Sequence, residues 1–317
     1  MVTGAAGFIG SHLVDALLAK GHEVVALDRR SADHPVTVRN LAAALSNPRL
    51  SFHRIDLSAD DVTALLPGVR TVFHLAGIGG VRSSWGTSFT DYALANIVGT
   101  ERILTACETM AVHRLVLASS SSVYGQAEGA SDEQAPTRPY SPYAVSKLAA
   151  ENLCAAHTAR RYTGLATTVV RYFTVYGPRQ RADMAIARLL AAALTGTPFH
   201  LYGDGTQQRE FTFVDDAVAA TIAAAQTGNH HLVVNVGGGQ SISMKSLIDT
   251  VGLVTGRPVQ LEQCLPVAGD VDCTSADSSL AQHLLGYHPS IDLAEGLRRH
   301  AAWMAALDAA ALSEFTD

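Results

Sequence analysis

A doubly wound parallel α/β sheet, followed by a smaller α+β region, is the fold class this sequence predicts. Three observations predict it. Strand-like apolar runs alternate with stretches of helical apolar spacing as far as Tyr172. A glycine-studded turn, Gly4-Ala-Ala-Gly7-Phe-Ile-Gly10, sits between the first strand and the first helix. The second strand, Glu23-Val-Val-Ala-Leu-Asp28, ends on a carboxylate.

The elements justify themselves in order. Only Met1 and Val2 precede Thr3, so the first strand is very short unless the sequence begins late. Phe8, Ile9, Leu13, Val14, Leu17 and Leu18 then put an apolar stripe on a helix, and Gly21-His22 stops it. Strand, glycine turn, helix, strand and acid together make a dinucleotide-binding βαβ unit: the helix N-terminus takes the pyrophosphate and the acid takes the adenosine ribose. The spacing is Gly-x-x-Gly-x-x-Gly, not the commoner Gly-x-Gly-x-x-Gly, and Asp28 lies eighteen residues beyond Gly10. A carboxylate there accepts from ribose hydroxyls and repels a 2′-phosphate, which favours NAD over NADP. Arg29 and Arg30 follow at once; they read either as partners for a phosphate or as a solvated turn.

Further strands are expected at Leu50–Ile55, Thr71–Leu75, Leu115–Ala118 and Ala166–Val170, with helical spacing between them, as in Leu94, Ile97, Val98, Ile103 and Leu104. Ligands of such a sheet bind at the carboxyl ends of its strands. Those ends carry Asp28, Asp56, Ala76-Gly77, Ser119 to Ser122 and Tyr172-Phe173. After Pro178 the regularity breaks into short strands and glycine turns, with helices expected at Val214–Ala225, Met244–Thr255 and Ile291–Ala311. Asp308 to Asp317 read as a fraying tail. The expected division is a cofactor domain of residues 1–177, to which 213–237 return, and a substrate domain of 178–212 and 238–317.

The totals narrow the class. With 317 residues, 48% of them hydrophobic and 16% charged, the chain has the material for a large core, which argues against disorder. A net charge of −6 gives no basic excess for nucleic acid, so an anionic substrate must be held by a few placed arginines. Cys107, Cys154, Cys264 and Cys273 form no Cys-x-x-Cys pair and read as small buried hydrophobes, with neither a metal site nor a disulfide framework. No run approaches the ~18 apolar residues of a membrane span, and no basic-then-apolar leader opens the chain. A cytoplasmic protein is expected.

Two stretches carry the chemistry: Ser119-Ser-Ser-Ser-Val-Tyr-Gly125 and Tyr143-Ala-Val-Ser-Lys147. Residues four apart share a helix face, so the Tyr143 phenol and the Lys147 ammonium can approach one spot. Using a tyrosinate as base at neutral pH needs a shift of about 3 units, or ~4 kcal/mol, which a neighbouring cation in a partly dry site can supply.

With these residues in view, the sequence resembles the extended short-chain dehydrogenases/reductases, in the NAD-dependent nucleotide-sugar epimerase/dehydratase group. The likeness runs through the Thr3–Gly10 loop, His74-Leu-Ala-Gly77, the serine cluster, Tyr143/Lys147, Arg171 to Pro178, Gly203-Asp-Gly205, Arg209-Glu-Phe-Thr-Phe-Val-Asp215 and Gly269-Asp-Val271. The resemblance implies a Rossmann cofactor site from Gly4, Gly7, Phe8, Ile9, Gly10, Asp28, Arg29, Leu75, Ala76, Gly77 and Ser119, with Asp56 and Leu57 flanking the adenine. It implies Asn96, Tyr143, Lys147 and Tyr172 around the nicotinamide ribose, and Ser120 as the hydroxyl partner of Tyr143. Arg209 and Asp270 match positions for the nucleotide diphosphate and ribose, and Leu201 the grip on the base. Dimerisation through Ser88–Met110 and Tyr143–Arg161 is implied as well.

Within the group, dehydratases carry Asp-Glu where Ser121-Ser122 stand, and two serines cannot serve as that acid and base. The run Thr174-Val-Tyr-Gly-Pro-Arg-Gln-Arg181-Ala-Asp183-Met184 resembles UDP-glucuronate 4-epimerases. A carboxylated sugar needs cationic and hydroxyl donors about its C6 group; the candidates are Arg82, Arg181, Thr174, Ser120 and Ser121. The arginines also read as surface ion pairs, the hydroxyls as backbone-bonded. Oxidation at C4 of a glucuronate makes a β-keto acid, so a decarboxylase giving UDP-xylose or its 4-keto form is the first alternative. Decarboxylases of the common type carry a glutamate at the Ser122 position. A UDP-glucose 4-epimerase is the next alternative. A non-catalytic dinucleotide-binding protein is the most distant, since binding alone does not require Ser120, Tyr143 and Lys147 together.

Overall fold

β1 is two residues long, Val2–Thr3, yet it lies in the middle of the sheet, paired in parallel with β2 (Val24–Asp28) on one side and β4 (Thr71–His74) on the other. A computed structural model of the chain describes residues 1–161, 163–265 and 271–316, and the elements and counts below refer to these. So short a strand is fixed by side chains: the Thr3 hydroxyl bonds His74 Nδ1 (2.8 Å) and accepts from the Ala76 amide (3.1 Å), and His74 Nε2 meets Thr100 Oγ1 (3.0 Å). Burial holds His74 neutral, its pKa pushed down to about 3.

β3 (Leu50–Arg54), β5 (Arg114–Ser120), β6 (Ala166–Tyr172) and β11 (His231–Val236) complete a seven-stranded sheet in the order β11-β6-β5-β4-β1-β2-β3, parallel throughout. The chain moves outward from β1 to β3 and then returns to β4 beside β1. The crevice beyond the carboxyl ends of β1 and β4 is therefore the topological switch point. β11 was not among the expected strands, although Leu232-Val-Val-Asn-Val236 has the composition of one.

Helices cover both faces. α1 (Phe8–Ala19), α2 (Pro35–Leu41) and α7 (Val214–Ala224) lie on one side, in an apolar cluster that continues into α6 (Ala185–Thr195), α8 (Met244–Thr255) and α10 (Leu293–Ala305). α4 (Gly99–Thr109) and α5 (Pro142–Thr158) close the other, over Ile103, Leu104, Cys107, Ala150 and Cys154. α3 (Phe89–Tyr92) runs into α4 through a π-helical turn, Ala93–Val98. Beyond β6 the sheet gives way to two-stranded pairings: β7 (Val175–Tyr176) with β10 (Thr212–Phe213), β8 (Phe199–Tyr202) with β13 (Leu261–Cys264), and β9 (Gln208–Glu210) with β12 (Ser241–Ser243). α9 (Ser279–Leu285) packs against β11 and α7.

Three expectations are corrected. Ile291–Ala311 is not one helix. α10 ends at Ala305, and Asp308, by accepting from the Ala311 amide, caps a separate α11 (Ala309–Ser313). The tail does not fray: Phe315 is buried against Trp303, and Glu314 pairs with Arg39 on α2 at 3.0 Å. Of the cysteines only Cys107 and Cys154 are buried; Cys264 and Cys273 are half-buried, and all four are free.

Candidate active site

Two adjoining cavities open at the switch point. A groove of about 340 Å³ runs along the glycine turn to Asp28, Asp56 and Leu57. A cleft of about 950 Å³ continues from it over Ser119 to Ser122, Tyr143 and Lys147 toward β8. Phe8, Ile9, Leu75, Gly77 and Arg181 line both.

The groove is shaped by what its backbone cannot tolerate. Gly4 has φ +67°, and a Cβ on Gly10 would stand 2.2 Å from the Gly4 carbonyl oxygen, so turn and helix meet only through glycine. No side chain caps α1 at Gly7, which leaves the first-turn amides of the helix for an anion. Asp28, buried at the end of β2, accepts from the amides of Ala6 (3.0 Å) and Arg30 (3.0 Å). That donor-rich turn with a fixed carboxylate at its far end fits a dinucleotide whose ribose keeps both hydroxyls free. Arg30 lies 3.5 Å from the same carboxylate, and Arg29 and Ala76 line the groove beside it.

The cleft is organised by α5. Ser141 caps the helix by accepting from the Ala144 amide (3.1 Å), and Pro142 starts it. Tyr143 and Lys147 then face the sheet one turn apart. Burial pushes the Tyr143 phenol above its usual range; the hydrogen-bonded Ser120 hydroxyl and the Arg181 guanidinium pull it back, and Tyr92, edge-on at 6.2 Å, adds to the rise. Arg181 is thus a cation acting on the phenol that chain spacing did not point to. Lys147 is buried, and its Nζ lies 3.9 Å from where a Cβ on Gly77 would be. Burial lowers its pKa to about 8, against the opposing pull of Glu151 one turn along. Glu151 is itself held by the Ser119 hydroxyl and by Arg171, which donates through Nε (3.1 Å) and Nη2 (2.7 Å).

The arrangement is a phenol, a hydroxyl and two cations about one cavity, beside a groove built for a dinucleotide. The model of the NAD dependent epimerase/dehydratase family matches residues 1–237. The chain belongs to that family. Like its relatives, this NAD-dependent family member is matched along nearly its whole length. It is 41% identical over 313 residues to a Bacillus subtilis (strain 168) protein, YtcB, described as an uncharacterized UDP-glucose epimerase, with 97% of this chain and 98% of that one covered. Among solved structures it is similar to MoeE5 in complex with UDP-glucuronic acid and NAD (43% identity, TM-score 0.89, 96% and 98% of the two chains). It is likewise similar to the UDP-glucuronic acid 4-epimerase from Bacillus cereus in complex with UDP-glucuronic acid and NAD (39% identity, TM-score 0.90, 95% and 97%).

The structure of this family member distributes the expected residues unevenly. Ser120, Ser121, Thr174, Arg82 and Leu201 line the cleft with Tyr143 and Lys147. Arg82 stacks on the Tyr202 ring at 4.5 Å, at the end of the cleft where Leu201 lies. Asn96 is buried behind the groove; its carboxamide clamps the Ile78 amide (2.7 Å) and carbonyl (3.0 Å) and reaches Ser146 Oγ (2.9 Å). Tyr172 gives the cleft its ring, while its hydroxyl bonds Thr221 on α7 (2.5 Å). Arg209 stands on β9, outside the walls of both cavities. Asp270 lies outside the described residues. Sequence reasoning missed Arg188, which lines the cleft; the signal available was a lone charged residue in the otherwise uncharged helix Ala185–Thr195.

Proposed function

We propose that this chain is an NAD-dependent UDP-sugar 4-epimerase that acts on UDP-glucuronate through a transient 4-keto sugar. The observation that carries the reading is the meeting of Tyr143, Ser120 and Arg181 in one large cleft whose neighbouring positions, 121 and 122, hold hydroxyls in place of carboxylates. Nicotinamide bound in the groove supplies reversible two-electron oxidation at sugar C4. The Tyr143 phenolate takes the O4 proton as C4 becomes a ketone, and the phenol so formed gives it back when the carbinol forms again. Ser120 holds the phenol oxygen in line, and the Arg181 field favours its ionised form. Lys147 brings a second positive charge to the floor of the cleft beside Gly77. Leu201 and Arg82 serve the nucleotide end, Arg188 the diphosphate, and Ser121 and Thr174 the sugar. A cleft of about 950 Å³ leaves the ketone room to turn its other face. With serine at 122, no carboxylate steers the keto acid toward loss of carbon dioxide.

The reading extends to a cytoplasmic homodimer. Four free cysteines suit a reducing compartment. Phe89, Leu94 and Val98, on the run from α3 to α4, and Val145 on α5 expose apolar surface on neighbouring helices.

NMR of the sugar after incubation with UDP-glucuronate and NAD tests the activity. The expected product keeps its carboxylate and has inverted C4. A pentose with released carbon dioxide would mean the decarboxylase, and turnover of UDP-glucose alone the neutral-sugar epimerase. Tyr143→Phe is expected to lower kcat about 10³-fold while the protein still copurifies with NAD; loss of NAD along with activity would point to collapse of the groove and not to a missing base.

A further inference from the structure

The proposed reading leaves Asp183, a charged residue of the cleft, without a task. Asp183 follows Arg181 by two residues and binds it through both oxygens, accepting from Nε at 2.9 Å and from Nη2 at 2.8 Å. The third nitrogen, Nη1, lies 2.5 Å from where a Cβ on Gly79 would be, so the guanidinium rests against bare backbone. That backbone is itself pinned: the Tyr92 hydroxyl donates to the carbonyls of Gly79 (3.3 Å) and Gly80 (3.0 Å) and meets Ser83 Oγ (2.8 Å). Arg181 thus has a built seat beside Tyr143, and its charge is already compensated there. The pair is not sealed off: 45% of the Arg181 side chain and 56% of the Asp183 side chain are exposed, so an incoming group can reach either.

From this geometry, and resting on the reading of the cleft as a UDP-sugar site, we infer that Asp183 is a specificity-determining residue that sets how strongly the enzyme discriminates a carboxylate from a hydroxymethyl group at sugar C6. A sugar carboxylate gains from Arg181 only what it wins in exchange with Asp183, because both compete for the same two-pronged donor. A neutral C6 hydroxymethyl makes no such exchange and meets a guanidinium whose charge is spoken for. Asp183 therefore lowers the premium on the acid and keeps the neutral sugar admissible. An asparagine at 183 retains an acceptor for Nε and so retains the seat, but its amide cannot compensate the charge.

Binding of UDP-glucuronate and of UDP-glucose, measured by calorimetry on the NAD-loaded protein in a Tyr143→Phe background, tests this. Asp183→Asn is expected to raise the ratio of the two affinities in favour of UDP-glucuronate about fivefold, the size of a half-exposed ion pair. The same change made on top of Arg181→Gln is expected to move the ratio less than about twofold, since the coupling runs through that guanidinium. An unchanged ratio in the single variant, a ratio shifted toward UDP-glucose, or the same shift with Arg181 removed would each overturn the inference. The two layers separate cleanly. If the protein with Asp183 intact binds neither sugar nucleotide, the reading of the cleft fails and this inference with it. If it binds both and the ratio stays put, the inference alone fails.

Discussion

The groove and the cleft lie side by side but are built differently. In the groove the backbone does the positioning. Asp28 is tied to two amides, Asn96 clamps both polar atoms of the Ile78 peptide, and the glycine turn is closed to any side chain at Gly10. In the cleft side chains position one another: Arg181 through Asp183, Arg82 over Tyr202, Glu151 through Arg171 and Ser119. The groove is thus complete before its ligand arrives, which suits a cofactor that is retained from one turnover to the next. The cleft holds groups whose partners can be exchanged, which suits a sugar that must enter, turn over and leave.

The largest break in this comparison is expected at Arg171. Its pair with Glu151 leaves both side chains 7% exposed or less, and Tyr124 and Asn235 continue the network by a 2.9 Å and a 2.7 Å hydrogen bond. Arg171→Met strands a buried carboxylate under Lys147 and is expected to remove about 3–5 kcal/mol of stability, read by urea unfolding; Arg171→Met with Glu151→Leu should recover most of it. A double variant as unstable as the single one would mean that packing, not charge, is at issue. Gly10→Ala comes next. Its Cβ would sit 2.2 Å from backbone that has nowhere to go. About 1–3 kcal/mol is expected to be lost together with NAD, measured by fluorescence titration of the cofactor, whereas free UDP should bind the cleft with little change. Equal loss of NAD and UDP would show that the groove and the cleft are not separable.

The same contrast governs what the sequence could say. The glycine turn, Asp28, the Tyr143/Lys147 pair and the strand ends are local facts: spacing along one strand or helix decides them. The position of β1 at the centre of the sheet is not local, because a two-residue strand is held there by His74 and Thr100. β11 was not expected as a strand, because its pairing and register depend on β6. The π-helical turn at Ala93–Val98, which carries Asn96, leaves no mark in apolar spacing. The field of Arg181 on Tyr143 joins residues 38 apart in the chain and only the fold brings them together. Asp308 could have been read as a helix cap from its residue type, three places before Ala311, had the apolar pattern not been followed past it.

The smallest effect is expected away from both cavities, on α10. His300 on α10 is fully buried, lies in the field of His12 on α1, and has no hydrogen-bond partner at either ring nitrogen among the described residues. Burial, with His12 second, lowers its pKa from 6.5 to about 3. Below pH 6.5 the unfolded chain therefore takes up a proton that the native protein refuses, and stability falls as the pH drops from there toward about 3. One such group accounts for about 2 kcal/mol between pH 6.5 and pH 5. His300→Leu loses no hydrogen bond and is expected to change stability at pH 7 by about 1 kcal/mol or less while flattening that acid slope. His74, its pKa held equally low and both its nitrogens bonded, contributes to the slope that remains, as do His12 and His231, whose pKa values burial also lowers. Urea unfolding at pH 7, 6 and 5 reads the difference. A slope identical to that of the unaltered chain would move the acid sensitivity from His300 to the other histidines whose pKa burial lowers, His12, His74 and His231.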